Sequence, residues 1–327
     1  MRRLIYATVA LLAACGDDGN NPRSDGSVDG VDDPDALLVD AGPEGDASVP
    51  PACTQTRSTS DRPDDSTYDQ IRVLYVLPSD LADQGHDTSG KICNSVRAFS
   101  TWFYNQSGSY LRFDTNGGQI DIGYVRLTKT DAVMRGNDPS NGSVDYGTAY
   151  VRERIERELV AMGMIKNNKL YAVYYEGSSS YACGAGAYPP AIVARVGTMY
   201  LKGLPPGATT PCGQVLPWGQ PSLVPNYIDY GMLHELVHSM GIVAASSPNE
   251  HSFGHVFDAN AVKPNRDLMY TPRAGMNDPG WATNDPMGLV LDLGHDDYYM
   301  APGVDVELSE LSLLSPLPAN AQRPIGW

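Results

Sequence analysis

Short apolar runs separated by turn residues dominate the middle of the chain. Residues 71–77 form a continuous run rich in β-branched side chains, and similar runs occupy 111–113, 120–127, 170–175 and 192–201. Runs of this length, bounded by Gly, Pro and Asn, predict buried strands. The pattern therefore indicates a sheet whose strands are buried on both faces.

Three longer segments have the period of amphipathic helices: 92–104, 145–162 and 229–240. In the second, an apolar stripe that ends at Met162 faces the predicted core. Its charged residues fall on the predicted solvent side: Arg152, Glu153, Arg154, Glu156 and Arg157. After Gly241 little periodicity remains, so we expect an irregular last part held by packing.

The amino end has the pattern of an export signal. Two arginines precede the apolar run 4–14, which is too short to span a membrane. The run ends in Leu12-Ala13-Ala14-Cys15, which resembles the lipobox of bacterial lipoproteins. This resemblance implies a signal peptide over 1–15 and a lipid-modified Cys15, in the cell envelope outside the cytoplasm. A plain signal peptide with an incidental cysteine, and hence secretion, is the alternative.

The next segment, 16–67, is predicted to be an acidic disordered tether. Between residues 16 and 50 there are ten acids against one base, Arg23, which accounts for most of the formal charge of −16. Such a composition cannot bury enough apolar surface to fold. The acidity argues against a nucleic-acid partner, and the lipid anchor is the one predicted membrane contact. The folded domain is expected over 68–327.

Four cysteines remain in the predicted mature domain, none of them in a C-x-x-C pair. In an oxidising compartment they can form two disulfides with three connectivities. Two of them lie in Gly/Pro-rich loops of one region, which favours Cys183–Cys212 and, by elimination, Cys53–Cys93. Free buried thiols are the alternative, and the spacing lacks the paired knuckles of a cysteine zinc site.

The segment HELVHSMG, residues 234–241, is the strongest chemical signal. On a helix, His234 and His238 lie one turn apart on one face and can bind one metal ion. Glu235 then stands beside the ion and can act as a general base. Four of the six histidines fall between residues 234 and 255. This clustering predicts one zinc ion. No P-loop, dinucleotide fingerprint or G-x-S-x-G elbow is present, which excludes most nucleotide-binding and serine-hydrolase functions.

These residues resemble the metzincin clan of zinc metallopeptidases, whose pattern is H-E-x-x-H-x-x-G-x-x-H followed by a methionine turn. Gly241 matches the glycine, and the segment 267–270, Asp-Leu-Met-Tyr, resembles the methionine turn with Met269 at its centre. The segments G-H-V, D-L-M-Y and L-D-L-G-H-D-D-Y-Y look like a group of exported bacterial metzincin-like proteins. The likeness covers about residues 71–299. One position departs from the pattern, because Ala244 stands where the third histidine belongs.

The third metal ligand is therefore open, with His255, His251 and Asp258 as candidates. Gly254 gives the backbone freedom for a close approach of His255, and the G-H-V segment matches the resemblance, so His255 is favoured. His251 follows a stretch that looks solvated. A gluzincin arrangement with Glu250 as ligand is weaker, because that ligand normally comes from a separate helix.

Other polar residues near the motifs have two interpretations each. Three tyrosines could donate a hydrogen bond to a developing oxyanion, but packing is the commoner role: Tyr270, Tyr298 and Tyr299. Three acids could bind calcium, although nothing in the pattern supports it and turn capping is the commoner role: Asp292, Asp296 and Asp297.

The resemblance implies a single α+β domain of metzincin type. A twisted, mostly parallel sheet with helices would form an upper lobe, and an irregular lower lobe with the methionine turn would follow the active-site helix. The implied activity is zinc-dependent endopeptidase hydrolysis of a protein or peptide substrate. We expect the substrate to pair with an edge strand at 192–201, and the protein to be a monomer. The alternative function is a surface-anchored, zinc-containing binding protein of the same fold without turnover.

Overall fold

The computed structural model describes residues 50–136, 151–187, 195–205, 207–215, 217–251, 253–273, 276, 278–282, 288–324 and 327. The predicted signal peptide, Cys15 and residues 16–49 of the predicted tether lie outside the described residues. The helices are α1 (Lys91–Ser107), α2 (Asp131–Met134), α3 (Val151–Ala161), α4 (Cys212–Val215) and α5 (Tyr227–Ser239). The strands are β1 (Gln70–Leu77), β2 (Tyr110–Leu111), β3 (Thr115–Asn116), β4 (Gln119–Ile120), β5 (Ile122–Arg126), β6 (Lys169–Tyr175), β7 (Gly184–Ala185), β8 (Val196–Tyr200), β9 (Glu250–His251), β10 (His255–Val256) and β11 (Leu314–Ser315).

A mostly parallel central sheet of five strands organises the fold. Its spatial order is β5-β1-β6-β8-β7. The first four strands are mutually parallel, and β7 runs antiparallel to β8 at one edge. Every residue of β1 and β6 is buried, because helices or loops cover both faces of a parallel sheet. The predicted mixed fold with a mostly parallel sheet is confirmed at this level.

Helices pack on both faces of this sheet. On one face, α1 and α5 join one apolar core with the residues that follow Gly241. On the other face, α3 contributes Val151, Ile155 and Leu159 to a second apolar core. The last third of the chain is irregular as predicted: from residue 242 on, the described residues contain three two-residue strands and two short 3-10 turns.

The charged side of α3, which the sequence predicts to face solvent, is partly buried in the structure. Arg152 and Glu156 are buried rather than exposed, with an Arg152 Nη1–Glu156 Oε2 distance of 2.6 Å. The other carboxylate oxygen of Glu156 accepts the backbone N–H of Arg195 at 2.8 Å. Met162, predicted to end the apolar stripe, is 45% exposed beyond the end of the helix. The prediction is therefore wrong for Arg152 and Glu156, whereas the side chain of Arg157 is exposed as predicted.

The predicted edge strand 192–201 is also corrected. Its described part, β8, lies inside the sheet between β6 and β7. The edge is β7, a two-residue strand that no periodicity could reveal. Residues 192–194 lie outside the described part of the chain.

Residues 50–67 pack on the domain, although the sequence pattern assigns them to the tether. Cys53 is bonded to Cys93 of α1. Lys169 at the start of β6 places its ammonium 3.0 Å from Asp61, 2.7 Å from Asp64 and 2.8 Å from Asp114. The folded part therefore includes residues that precede Tyr68, because a covalent bond and buried ion pairs replace the missing apolar surface.

The second disulfide joins Cys183, beside β7, to Cys212 in α4. Both bonded pairs agree with the predicted pairing. Disulfides of this kind indicate an oxidising location outside the cytoplasm. None of the described helices is long and apolar enough to cross a membrane.

Candidate metal centre

Helix α5 carries the H-E-x-x-H motif through the centre of the molecule. Its start is fixed by a capping box, in which the Asp229 side chain accepts the backbone N–H of Asn226 at 2.9 Å. All thirteen residues of the helix are buried. Such a helix has no solvent face, so its polar residues need partners inside the protein.

Three histidine rings converge at the end of this helix. The Nε2 atoms of His234 and His238 lie 3.0 Å apart, and Nε2 of His238 lies 3.2 Å from Nε2 of His255. All three residues are buried. These three side chains are a group that could hold a metal ion.

Two of the rings, those of His234 and His238, are held as neutral imidazoles, the form that binds metals. Nδ1 of His234 donates to the carbonyl oxygen of Leu268 at 2.7 Å, which leaves a lone pair on Nε2. Burial lowers the pKa of His234 to about 4. Burial, and next the neighbouring His255 and His234, hold the pKa of His238 well below its usual range.

The chain brings His255 into the site by a detour. After α5, Gly241 adopts a left-handed conformation with φ 78° and turns the backbone away from the helix. Ala244 supplies no ligand. The chain returns through Gly254, with φ 76°, to β10, whose Val256 N–H donates to the Met269 carbonyl at 2.9 Å.

The other ligand candidates lie apart from this group. His251 is opposite His255 in the β9–β10 pair, and its ring packs against Phe257 at 6.0 Å. Glu250 occupies the same short strand. Neither these two residues nor Asp258 belongs to the metal-binding group found among the described residues.

The segment 267–270, which the sequence predicts to be a methionine turn, contacts the site through its main chain. Met269 is fully buried, and its N–H donates to Asp267 Oδ1 at 2.7 Å. The same turn supplies the Leu268 carbonyl to His234 and the Met269 carbonyl to Val256. Burial, and next the charge of Asp292, hold the pKa of Asp267 well above its usual range.

Glu235 stands next to the histidines at the wall of a cleft. The cleft is lined by His234, Glu235 and His255 and by neutral side chains that include Met199, Tyr227 and Trp281. Glu235 is 5% exposed, and no group of the described residues donates to its Oε2 atom. Burial raises the pKa of Glu235 to about 8, against the opposing effect of the Gly186 N–H that it accepts. Such a carboxyl group can exchange a proton near neutral pH.

Glycines in β7, directly after β7 and in β8 bring the sheet against α5. A Cβ on Gly184 would lie 2.6 Å from Glu235 Oε1, and one on Gly197 would lie 2.9 Å from the Glu235 carbonyl oxygen. A Cβ on Gly186 would lie 2.4 Å from that same oxygen. Glycine is therefore required at these positions for the strands to approach the helix backbone. The sequence pattern gave no indication of this role.

The tyrosines named as oxyanion donors already donate elsewhere. The hydroxyl groups of Tyr270, Tyr298 and Tyr299 donate to the Pro279 carbonyl, to Asp267 and to the Ser107 carbonyl, each at 2.9 Å. Tyr270 also lines the cleft.

The three acids considered for calcium lie together, with ligand oxygens within 4.8 Å of one another. Asp292 Oδ2 accepts the backbone N–H groups of Asp297, Tyr298 and Tyr299 at 3.2, 2.8 and 2.7 Å. Asp292 therefore has the turn-capping role that the sequence favoured.

Comparisons with known proteins add little. No family model matches the chain, and no curated protein matches it. A match among solved structures is archaemetzincin from Methanopyrus kandleri, at 14% identity and a TM-score of 0.27 over 56% of this chain and 83% of the other. A likeness at this TM-score carries no argument about the fold or the function.

Proposed function

We propose that the chain is a zinc-dependent endopeptidase. The observation that supports the proposal is the convergence of three buried imidazoles beside a buried carboxyl group at the wall of a cleft. Three protein ligands with one open position are the arrangement of catalytic zinc sites, whereas structural sites are closed by four.

The donor set fits zinc. Zn–N bonds of about 2.0–2.1 Å in a tetrahedral site separate ligand nitrogens by roughly 3.3 Å. The two separations at His238 Nε2, 3.0 and 3.2 Å, are close to this value. One proton on His238 Nε2 could bridge to His234 or to His255, but not to both, so a cation accounts better for the geometry. When bound, zinc would supply a Lewis acid between these rings and the cleft.

Glu235 is the residue to which we assign proton transfer. Its Oε2 atom takes a proton from the attacking water and later delivers it to the nitrogen of the leaving amine. The Gly186 N–H holds one side of the carboxylate, and Gly184 leaves the space in which it lies. A structural metal site has no use for such a group.

The substrate we propose is an extended protein or peptide segment. Strand β7 is an edge strand, and Gly184 lines the cleft beside Glu235. An extended peptide can pair through its main chain with β7, the last strand of the sheet in the described part of the chain. Strand β7 therefore replaces residues 192–201 as the strand with which we propose that the substrate pairs.

We propose the cell envelope as the site of action. The two disulfides support an oxidising compartment, and Leu12-Ala13-Ala14-Cys15 supports a lipid anchor outside the cytoplasm, with secretion as the alternative. We keep the expectations of a monomer and of no nucleic-acid partner.

The test compares the purified chain with its Glu235→Ala variant and with Glu158→Ala, a matched change on the surface of α3. Metal content is measured by mass spectrometry, and turnover by cleavage of an unfolded protein. We expect one zinc per chain in all three proteins and a loss of at least about a hundredfold in rate for Glu235→Ala alone. Equal rates in wild type and Glu235→Ala contradict the catalytic assignment. Zinc without turnover in the wild type favours the binding-protein alternative.

A further inference from the structure

A second cavity opens at the carboxyl ends of β1 and β6. Its volume is about 290 Å³, and its polar lining includes Gln84, His86, Lys91, Glu176 and Lys202, with Trp218 as an aromatic wall. It shares no lining residue with the cleft at Glu235. The proposed peptidase function does not use it.

The topology of the sheet explains the position of this cavity. The connection that leaves β1 passes through α1 and leads to β5 on one side of β1. The connection that leaves the neighbouring strand β6 leads to β7 and β8, on the opposite side. Connections that leave neighbouring parallel strands in opposite directions open a crevice at the carboxyl ends of those strands. Open parallel sheets bind ligands at this point.

Two of the charges in the cavity balance each other. Glu176, the residue after β6, is buried and accepts the Tyr75 hydroxyl at 3.1 Å. Lys202 Nζ lies 3.5 Å from its other oxygen. His86 Nε2 lies 3.4 Å from Glu176, but burial, and next the charge of Lys91, lower the pKa of His86 to about 4. At neutral pH His86 therefore adds no charge.

The ammonium group of Lys91 is the second positive charge in the cavity lining, and Glu176 is already paired with Lys202. Its ammonium lies 4.2 Å from the centre of the Trp218 ring. None of the ion pairs found among the described residues involves Lys91, and Glu176 and Asp229 act on it from a greater distance. Lys91 also begins α1, where Gly90 offers no capping side chain and the first turn has no acid. The partial positive charge of a helix amino end adds to that of the lysine.

We propose that this cavity binds a small organic anion with a single negative charge, namely a carboxylate. The carboxylate pairs with Lys91 at the start of α1, next to the part of the buried Trp218 ring that lines the cavity. Glu176 selects the charge of the ligand. One uncompensated cation neutralises a monoanion, whereas the buried Glu176 carboxylate repels the second charge of a phosphate or sulfate dianion.

The experiment titrates the full chain with acetate, propionate and butyrate, and in separate arms with phosphate and sulfate. Chloride keeps the ionic strength constant, and binding is followed by calorimetry and by tryptophan fluorescence. We expect saturable binding of carboxylates, a fluorescence change that is lost in Trp218→Phe, and affinity lowered at least about tenfold in Lys91→Met. The matched control is Lys129→Met, an exposed lysine after β5, which keeps wild-type affinity.

A second variant tests the role of Glu176. Glu176→Gln removes the repelling charge, so we expect it to bind phosphate where the wild type does not. Thermal melting confirms that each variant is folded, and Lys91→Gln replaces Lys91→Met if the latter melts early. The assignment is overturned if no carboxylate binds saturably, if Lys91→Met binds as wild type does, or if the wild type takes phosphate or sulfate and rejects carboxylates. None of these readouts depends on peptide hydrolysis.

Discussion

At the scale of single residues, the third histidine decides whether the motif on α5 becomes a metal site. His255 is positioned by its neighbours, since Gly254 has φ 76° and the Val256 N–H donates to Met269. His251 lies one strand away. We therefore expect His255→Ala to weaken zinc binding by at least about a hundredfold and His251→Ala to leave it unchanged. Competition with a chromogenic chelator at neutral pH measures both affinities.

His251→Ala is the matched control for His255→Ala, because both variants remove an imidazole from the same two-stranded ribbon. Loss of zinc from His251→Ala together with its retention by His255→Ala would require the two roles to be exchanged. Loss from both variants would indicate that the ribbon, rather than a particular ring, holds the ion.

The residues that could be predicted are those whose role depends on side-chain type and helical spacing. His234, Glu235 and His238 follow from the i, i+4 geometry of one helix, and Gly254 pointed to His255. The contacts that orient them come from main-chain groups, such as the Leu268 carbonyl and the Gly186 N–H. Any residue type can supply these groups, so no pattern of letters reveals them.

At the scale of elements, the close packing of α5 on the sheet depends on glycines, which have no side chain to keep the strands and the helix apart. A Cβ on Gly197 would lie 2.9 Å from both the carbonyl carbon and oxygen of Glu235. Gly197→Ala must therefore move β8 or α5, and we expect it to lower the free energy of unfolding by about 1–3 kcal/mol. Because Glu235 moves with the helix, turnover should fall as well.

The matched control for this prediction is Gly280→Ala, since an added Cβ at Gly280 meets no atom within 4 Å. Chemical denaturation measures both variants. Equal stability of the wild type and Gly197→Ala would mean that the helix and the sheet can separate at no cost, contrary to the close packing described above.

The long elements were predictable and the short ones were not. β1, β6, α1 and α5 have enough residues to establish a period, and their predicted bounds differ from the observed ones by three residues or fewer. The edge strand β7 has two residues and therefore no period. The solvent side predicted for α3 was wrong at Arg152 and Glu156, because the two side chains neutralise each other at i, i+4 and can both be buried.

At the scale of the whole molecule, buried carboxyl groups in the last third make stability depend on pH. Burial raises the pKa of Asp297 to about 6, against about 3.9 in an unfolded chain. The folded state therefore binds the proton more tightly, and the contribution of Asp297 to stability falls as the pH rises through about 6. Asp297→Asn removes this dependence.

We compare the free energy of unfolding of Asp297→Asn with that of the wild type at two pH values. Relative to the wild type, the variant should be more stable at pH 7.5 than at pH 5, by on the order of 1 kcal/mol. Thermal melting of both proteins at both pH values measures how the stability difference between variant and wild type changes with pH. The exposed Asp305 supplies the control variant, Asp305→Asn, for which the difference should vanish. A difference of opposite sign for Asp297→Asn would contradict the prediction.

The lipid anchor also belongs to this scale, because it determines where the whole domain works. We expect Cys15→Ser to move the protein from the membrane fraction to the soluble fraction of an expressing bacterium. Asp25→Asn, a change in the predicted tether, should leave the distribution as it is. Detergent partitioning measures the effect, and partitioning that is unchanged by Cys15→Ser would rule out lipid attachment.

The order of the cysteines along the chain has a consequence for biogenesis. Cys53 is bonded to Cys93, and Cys183 to Cys212, so each bridge joins consecutive cysteines of the mature domain. A chain that emerges amino end first exposes each cysteine to its proper partner before the next one arrives. Oxidation in order of appearance therefore selects the native pairing from the three that four cysteines allow. We therefore expect an oxidant alone to suffice for maturation, without an enzyme that reshuffles mispaired bridges.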